Sequence, residues 1–182
     1  MSDERAFTIR LVRPGDAAGV VGVLNAIIAA GEPVAFDAQM TVEAEAAYIA
    51  GFPARGTFFV AVADERVDDD RGALGGTIVG LQSVEPYAAH THTFDHVGVI
   101  GTYVARAWRR RGVASRLFDA TFAAAPGGGY EKLFTTIRAD NAAGLAVYAR
   151  HGFKVVGTAR RHAKIAGRYV DEIVVERFLG SS

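Results

Sequence analysis

The chain has no cysteine among its 182 residues. That excludes disulfides, thiolate metal sites and a cysteine nucleophile, and it fits a reducing compartment. Charge of one sign is also missing: 20 Lys and Arg balance 20 Asp and Glu. A zero balance gives no support to a general nucleic-acid or membrane-surface binder. No apolar run approaches the roughly 20 residues of a spanning helix. The opening Met1-Ser2-Asp3-Glu4-Arg5 carries acids and lacks the apolar stretch of a secretory signal. What is abundant is hydrophobic content, 50%, enough for a full core. The expectation is a soluble, cytoplasmic protein with a single domain over residues 1–182.

Residues 7–12 alternate like a strand, and Arg13-Pro14-Gly15-Asp16 is turn chemistry with Asp16 as a helix N-cap. Residues 17–30 read as a helix whose apolar stripe is Val20, Val21, Val23, Leu24, Ile27 and Ile28. Thr41 starts a short second helix that runs to residue 49, and 57–63 is a strand. Residues 64–76, with Asp68-Asp69-Asp70, read as a solvated hairpin loop, because the ligand spacing of an EF-hand is missing. Strands follow at 77–84 and 93–104, then a helix at 112–125 that Pro126-Gly127-Gly128-Gly129 ends. A strand at 133–137, a helix capped by Asp140 or Asn141, and strands at 153–159 and 169–178 complete the chain.

Three successive strands without helices imply an antiparallel meander, and the strand–helix–strand over 97–137 implies a parallel pair with a right-handed crossover. The fold class is α/β: a mixed, mostly antiparallel twisted sheet of about seven strands flanked by helices.

The segment from Val104 to Phe118 concentrates the chemistry. An apolar strand stops, Arg109-Arg110-Arg111-Gly112 follows, and an amphipathic helix begins with Val113, Ala114 and Ser115. Free amides, a helix N-terminus and cations at one point suit a phosphorylated ligand, above all a pyrophosphate. Neither the Walker-type Gly-Lys-Ser/Thr nor the full G-x-G-x-x-G is present. A second segment follows about 30 residues later, Asn141-Ala142-Ala143-Gly144 through Tyr148 to Gly152-Phe153. Asn141 can cap its helix, and Tyr148 lies two turns along the same face.

Together the two segments resemble the GNAT N-acetyltransferase superfamily. Its acetyl-CoA motif, Gln/Arg-x-x-Gly-x-Gly/Ala, is matched by Arg109, Gly112 and Ala114, and its next motif by Asn141, Gly144, Tyr148, Gly152 and Phe153. The final Gly167-Arg168-Tyr169-Val170-Asp171-Glu172 is similar to the closing hairpin of the phosphinothricin/amino-acid acetyltransferase branch. The resemblance implies a central parallel pair splayed to hold CoA. Tyr103 and Val104 then line the pantetheine arm, and Arg109, Arg110, Arg111, Gly112, Val113, Ala114 and Ser115 surround the pyrophosphate. Asn141 and Gly144 contact the CoA arm, and Tyr148 is the general acid that protonates the leaving thiolate. The co-substrate is acetyl-CoA, with no metal, and the acceptor a small-molecule amine, covered by residues 28–38 with Glu32, Phe36 and Asp37. A closing strand pair of this kind is shared across homodimers in the superfamily. A CoA-binding sensor without turnover and a protein N-terminal acetyltransferase remain as alternatives.

The resemblance also implies a glutamate base on the strand before the turn, at a position held here by Val99. Valine cannot take a proton. The candidates nearby are His96, His90, His92, Asp95 and Glu85. Residues 90, 92 and 96 share strand parity, and an unperturbed imidazole titrates near pH 6.5; His96 is taken as the base. A metal site built on the same histidines is not favoured, since neither cysteines nor a helical His pair accompany them.

Overall fold

The computed structural model describes residues 7–36, 38–64, 76–88 and 90–180. The expected loop at 64–76, with its three aspartates, and Asp37 lie largely or wholly outside the described residues.

The strands are β1 (Phe7–Leu11), β2 (Thr57–Ala63), β3 (Ile78–Pro86), β4 (Val97–Val104), β5 (Lys132–Arg138), β6 (Lys154–Ile165) and β7 (Arg168–Phe178). The helices are α1 (Ala17–Ala29), α2 (Val42–Ala50), α3 (Val113–Ala124) and α4 (Ala142–Arg150). One seven-stranded sheet has the order β1-β2-β3-β4-β5-β7-β6. Every pairing is antiparallel except that of β4 with β5. The expected fold class is the observed one. No described helix is long and apolar enough to cross a membrane.

Helices cover both faces. The stripe of α1 packs with Ile49, Phe58, Val60, Val62, Ile78 and Leu81. Ala61 and Ala63, of opposite parity on β2, and Val79, the extra residue of a bulge beside Gly80 on β3, meet Val113 and Leu117 of α3. Further along that second face, Ile100, Leu133, Ile137 and Val175 close over Phe118 of α3 and Tyr148 of α4. Away from that bulge, period-2 alternation sorts strand residues between an α1/α2 face and an α3/α4 face. Glycine permits the close approach: a Cβ on Gly80 would sit 2.9 Å from Val113 Cγ1, and one on Gly98 2.6 Å from Val84 Cγ1.

Several boundaries differ from the sequence reading, each for a local reason. Asp16 does not cap α1 with its side chain. Its carboxylate is taken by Arg10 (2.6 and 2.8 Å) and by the Arg13 amide (2.7 Å), a bidentate pair that ties β1 to the start of α1. Residues 93–96 are turn, not strand, with Val97 N donating to Phe94 O at 2.8 Å. Gly112 is left-handed (φ 81°), so α3 begins one residue later. β6 runs past Ala159 to Ile165: its pairing with β7 skips residues 160–162 in a bulge, where Arg161 is left-handed (φ 52°) and its amide donates to Asp171 Oδ1 at 2.6 Å, and resumes at Ala163–Val170.

The Arg10 guanidinium, first as hydrogen-bond donor, holds the Asp16 carboxyl below the usual carboxylate range. Its folded pKa is depressed, so its contribution is full above the unfolded pKa near 4 and fades as pH falls through the folded value. Asp16→Asn is expected to cost about 1–2 kcal/mol at pH 7. Urea denaturation should show the gap between the two proteins narrowing below pH 4; a gap that persists there would overturn the ionic account.

Candidate functional site

The site grows from an incomplete pairing. β4 and β5 match only at Val97–Lys132, Gly98–Leu133 and Val99–Phe134. Past that point β4 stays bonded to β3 as far as Val104, and β5 to β7 as far as Arg138. The two halves of the sheet therefore part. The inner edges of 100–104 and 135–138 face a gap with no strand partner, and unpaired backbone groups there call for a ligand or water.

At the open end of the gap the chain makes its arginine–glycine turn. Arg110 (φ 62°) and Gly112 (φ 81°) are both left-handed. The first hydrogen bond into α3 runs from Arg116 N to Gly112 O at 3.0 Å, so the helix leaves the Val113, Ala114 and Ser115 amides free. A Cβ at Gly112 would meet nothing within 4 Å; glycine is there for its backbone angle and the space is open. These amides sit at the positive end of the α3 dipole.

The arginines divide. Arg109 forms an ion pair with Glu32 and donates from Nε to Val104 O at 3.1 Å, so it clasps the loop after α1 to the end of β4. Arg111 lies over the Trp108 ring at 5.5 Å. Arg116 donates to Phe7 O at 2.8 Å. Arg110 is exposed, on the left-handed residue of the turn. Ser115 Oγ is 3.2 Å from His151 Nε2, and that imidazole stacks on Phe118 at 4.2 Å between centroids.

Tyr148 reaches the gap from the α3/α4 face. It is buried, packed edge-on to Phe118 (5.3 Å) and Phe153 (4.9 Å). Its hydroxyl lies 3.0 Å from Thr102 Oγ1 on β4, and buried Gln82 donates from Nε2 to the same oxygen at 2.8 Å. Burial pushes the Tyr148 phenol well above its ordinary value, only partly offset by Thr102. With Thr102 donating to the phenol oxygen, the Tyr148 proton is free to point elsewhere.

Asn141 does its capping work: Oδ1 accepts from Gly144 N at 2.8 Å, and Nδ2 donates to Pro33 O at 3.1 Å. Both ends are engaged, so the amide serves α4 and the loop after α1. Gly144 has its own reason, since a Cβ there would lie 2.8 Å from Asn141 Nδ2.

The histidines are not brought to the gap. His96 is exposed and precedes the first residue of β4. It lies three residues, about 10 Å of strand, from Val99 and away from the turn. His92 pairs with Asp95 at 3.0 Å on the surface, and His90 is exposed. The shared parity of the three has no meaning because 90–96 is not a strand. Among the described residues no three metal-binding side chains converge.

The sequence reading undervalued the α1/α2 face. Glu85 on β3 stands directly opposite Val99, and Tyr48 of α2 donates a hydrogen bond to its Oε1. Burial, then that bond, pushes the Tyr48 phenol up. Tyr103 packs on Phe36 at 5.6 Å, and its phenol is pushed up to about 12 by burial and by the charge of Glu85. Only the cross-strand register could have singled out Glu85, and the loop between β3 and β4 is not of a length that sets it.

Residues 25–153 match the model of the acetyltransferase (GNAT) family. An L-amino acid N-acetyltransferase of Escherichia coli is 32% identical over 105 residues, which span 57% of this chain and 64% of that protein. A phosphinothricin N-acetyltransferase of Streptomyces coelicolor is 28% identical over 146 residues, 80% of this chain and 81% of that one. The phosphinothricin acetyltransferase of Sinorhizobium meliloti, solved in complex with acetyl-CoA, shares the fold with a TM-score of 0.80 at 15% identity, over 96% of this chain and 89% of that one. The family match runs from within α1 to just past α4 and so takes in the gap and the turn alike: this chain belongs to the GNAT family of acetyltransferases.

Proposed function

We propose that the chain transfers the acetyl group of acetyl-CoA to the primary amine of a small molecule, by direct attack with both substrates bound, and that residues 1–182 serve this as a single domain. The observation that carries the reading is the parting of β4 from β5 beyond Val99 and Phe134, with the Tyr148 hydroxyl held at its side by Thr102. The residues present fit the ligand. An extended pantetheine arm carries amides that match the unpaired inner edge beside Tyr103 and Val104. The amides from Arg110 to Ser115, ahead of the α3 dipole, match a pyrophosphate. Arg110 and Arg111 add charge there, while Arg109 holds the loop. Asn141 and Gly144 contribute by fixing the start of α4, and through it the position of Tyr148.

Tyr148 gives its proton to the departing sulfur. The amine nitrogen forms a bond to the thioester carbon, the carbon–sulfur bond breaks, and its electron pair leaves on sulfur. A proton lost from the attacking nitrogen replaces the one that Tyr148 donated. Because burial keeps the phenol protonated through neutral pH, Tyr148 acts as donor and not as base. No cysteine is available for an acyl-enzyme, which favours direct attack, and much of the rate then comes from positioning.

Mixing the protein with acetyl-CoA and a panel of amines should release free thiol only in the presence of an acceptor amine. CoA binding without thiol release on any amine would replace transfer by sensing. Tyr148→Phe is expected to lower kcat by about 100-fold, with the acetyl-CoA Kd unchanged; unaltered turnover would remove its role as acid. Gly112→Asp forces a side chain into a left-handed backbone and sets a carboxylate against the phosphates. It should weaken acetyl-CoA binding by at least about 10-fold, and an unaltered titration would overturn the placement of the pyrophosphate.

A further inference from the structure

We infer that Glu85 is the general base of this transfer, a carboxylate supplied from β3 in place of the one that the family carries on β4. The inference rests on the reading of the chain as an N-acetyltransferase and adds the residue that readies the amine.

The register is the first support. Glu85 and Val99 are direct antiparallel partners, so their side chains leave the same face of the sheet with Cβ atoms about 4.5–5.5 Å apart. Val99 is also the last β4 residue paired to β5 before the gap. A carboxylate moved from position 99 to position 85 is displaced by one strand, about 4.8 Å. It keeps its face and its distance along the gap. Glutamate has the reach to make up a displacement of that size, and Val99, lacking a polar atom, does not compete with it.

The second support is the way the carboxylate is held. Tyr48 fixes Oε1 from α2. Among the described residues no Lys or Arg forms an ion pair with Glu85, and Arg55 is engaged by Asp95 at 2.9 Å. The titratable groups on the same face as Glu85 are Tyr48 and buried Glu45 on α2 and Tyr103 on β4, while Tyr130, with Arg55 above its ring, packs on the α3/α4 face within range of its charge. Phe36, Phe52 and Phe58 complete the surroundings of Tyr103 and Tyr48. The Glu85 carboxylate among aromatic faces attracts a cationic amine, the form in which an alkylamine arrives at neutral pH, while burial pushes the Glu45 carboxyl up.

The third support is the division between faces. Gln82, Thr102 and Tyr148 lie on the α3/α4 face; Glu85, Val99 and Tyr103 lie on the other. Glu85 takes one proton from the ammonium, directly or through a water, and later passes it to solvent. The neutral nitrogen attacks, and Tyr148 protonates sulfur from the opposite face. The sum is ammonium plus thioester giving amide, thiol and one proton.

The test is the pH profile of kcat/KM for the wild type, Glu85→Gln and Glu85→Gln/Val99→Glu. Glutamine still accepts from Tyr48, which spares the packing. Glu85→Gln should lower kcat by about 100-fold, abolish the acidic limb of the profile and leave the acetyl-CoA Kd unchanged. The double variant should recover at least 10-fold in kcat together with an acidic limb, which a merely structural role for Glu85 would not produce. An active wild type whose rate and profile survive Glu85→Gln would overturn this inference alone. A wild type that binds acetyl-CoA and acetylates no amine would overturn it together with the proposed function.

Discussion

The structure turns on a parallel strand pair that is allowed to fail. Each inner strand finds its hydrogen bonds on its outer side, β4 with β3 and β5 with β7. The sheet therefore stays intact on both flanks while its middle opens beyond Val99 and Phe134. Open strand edges are ordinarily a liability that a fold blunts or covers. Here the edge borders a site, and the fold supplies what surrounds it. Gly80 lets α3 lie close to β3, which sets the turn at the mouth of the opening, and Phe118 and Phe153 press Tyr148 toward Thr102.

The opening also borders two faces that carry different groups. On one, a buried phenol is held by a short relay of Gln82 and Thr102, and burial keeps it protonated. On the other, a glutamate is held by a phenol from α2 among aromatic rings. The loop after α1 belongs to the same assembly: Glu32 grips Arg109 and Pro33 O receives Asn141, so that loop is tied to both the turn and α4.

How far the sequence could be read depended on whether a feature was local. The arginine–glycine turn, the Asn141 cap and the spacing to Tyr148 are short-range and were legible with their positions. The apolar stripe of α1 was legible too, with Ile28 the one member left half-buried. Period-2 reasoning went astray at residues 93–96, where Arg55, reaching from the segment between α2 and β2, pairs with Asp95 in a turn. That partner is some 40 residues distant, and no local pattern announces it. Asp16 misled for a related reason: Arg10 outcompeted the α1 amides for its carboxylate.

By itself the sequence determined the order of elements, the position of the arginine–glycine turn and the two-turn spacing from Asn141 to Tyr148, because these follow from turns, caps and helical periodicity within a few neighbouring residues. Tertiary structure alone decided which arginine is occupied by Glu32, which glutamate stands across from Val99, and that His90, His92 and His96 stay outside. Those matters depend on strand register and on contacts between segments far apart in the chain. A shift of one residue in the β3–β4 pairing would turn Glu85 to the other face of the sheet, and only the folded sheet holds it where it stands.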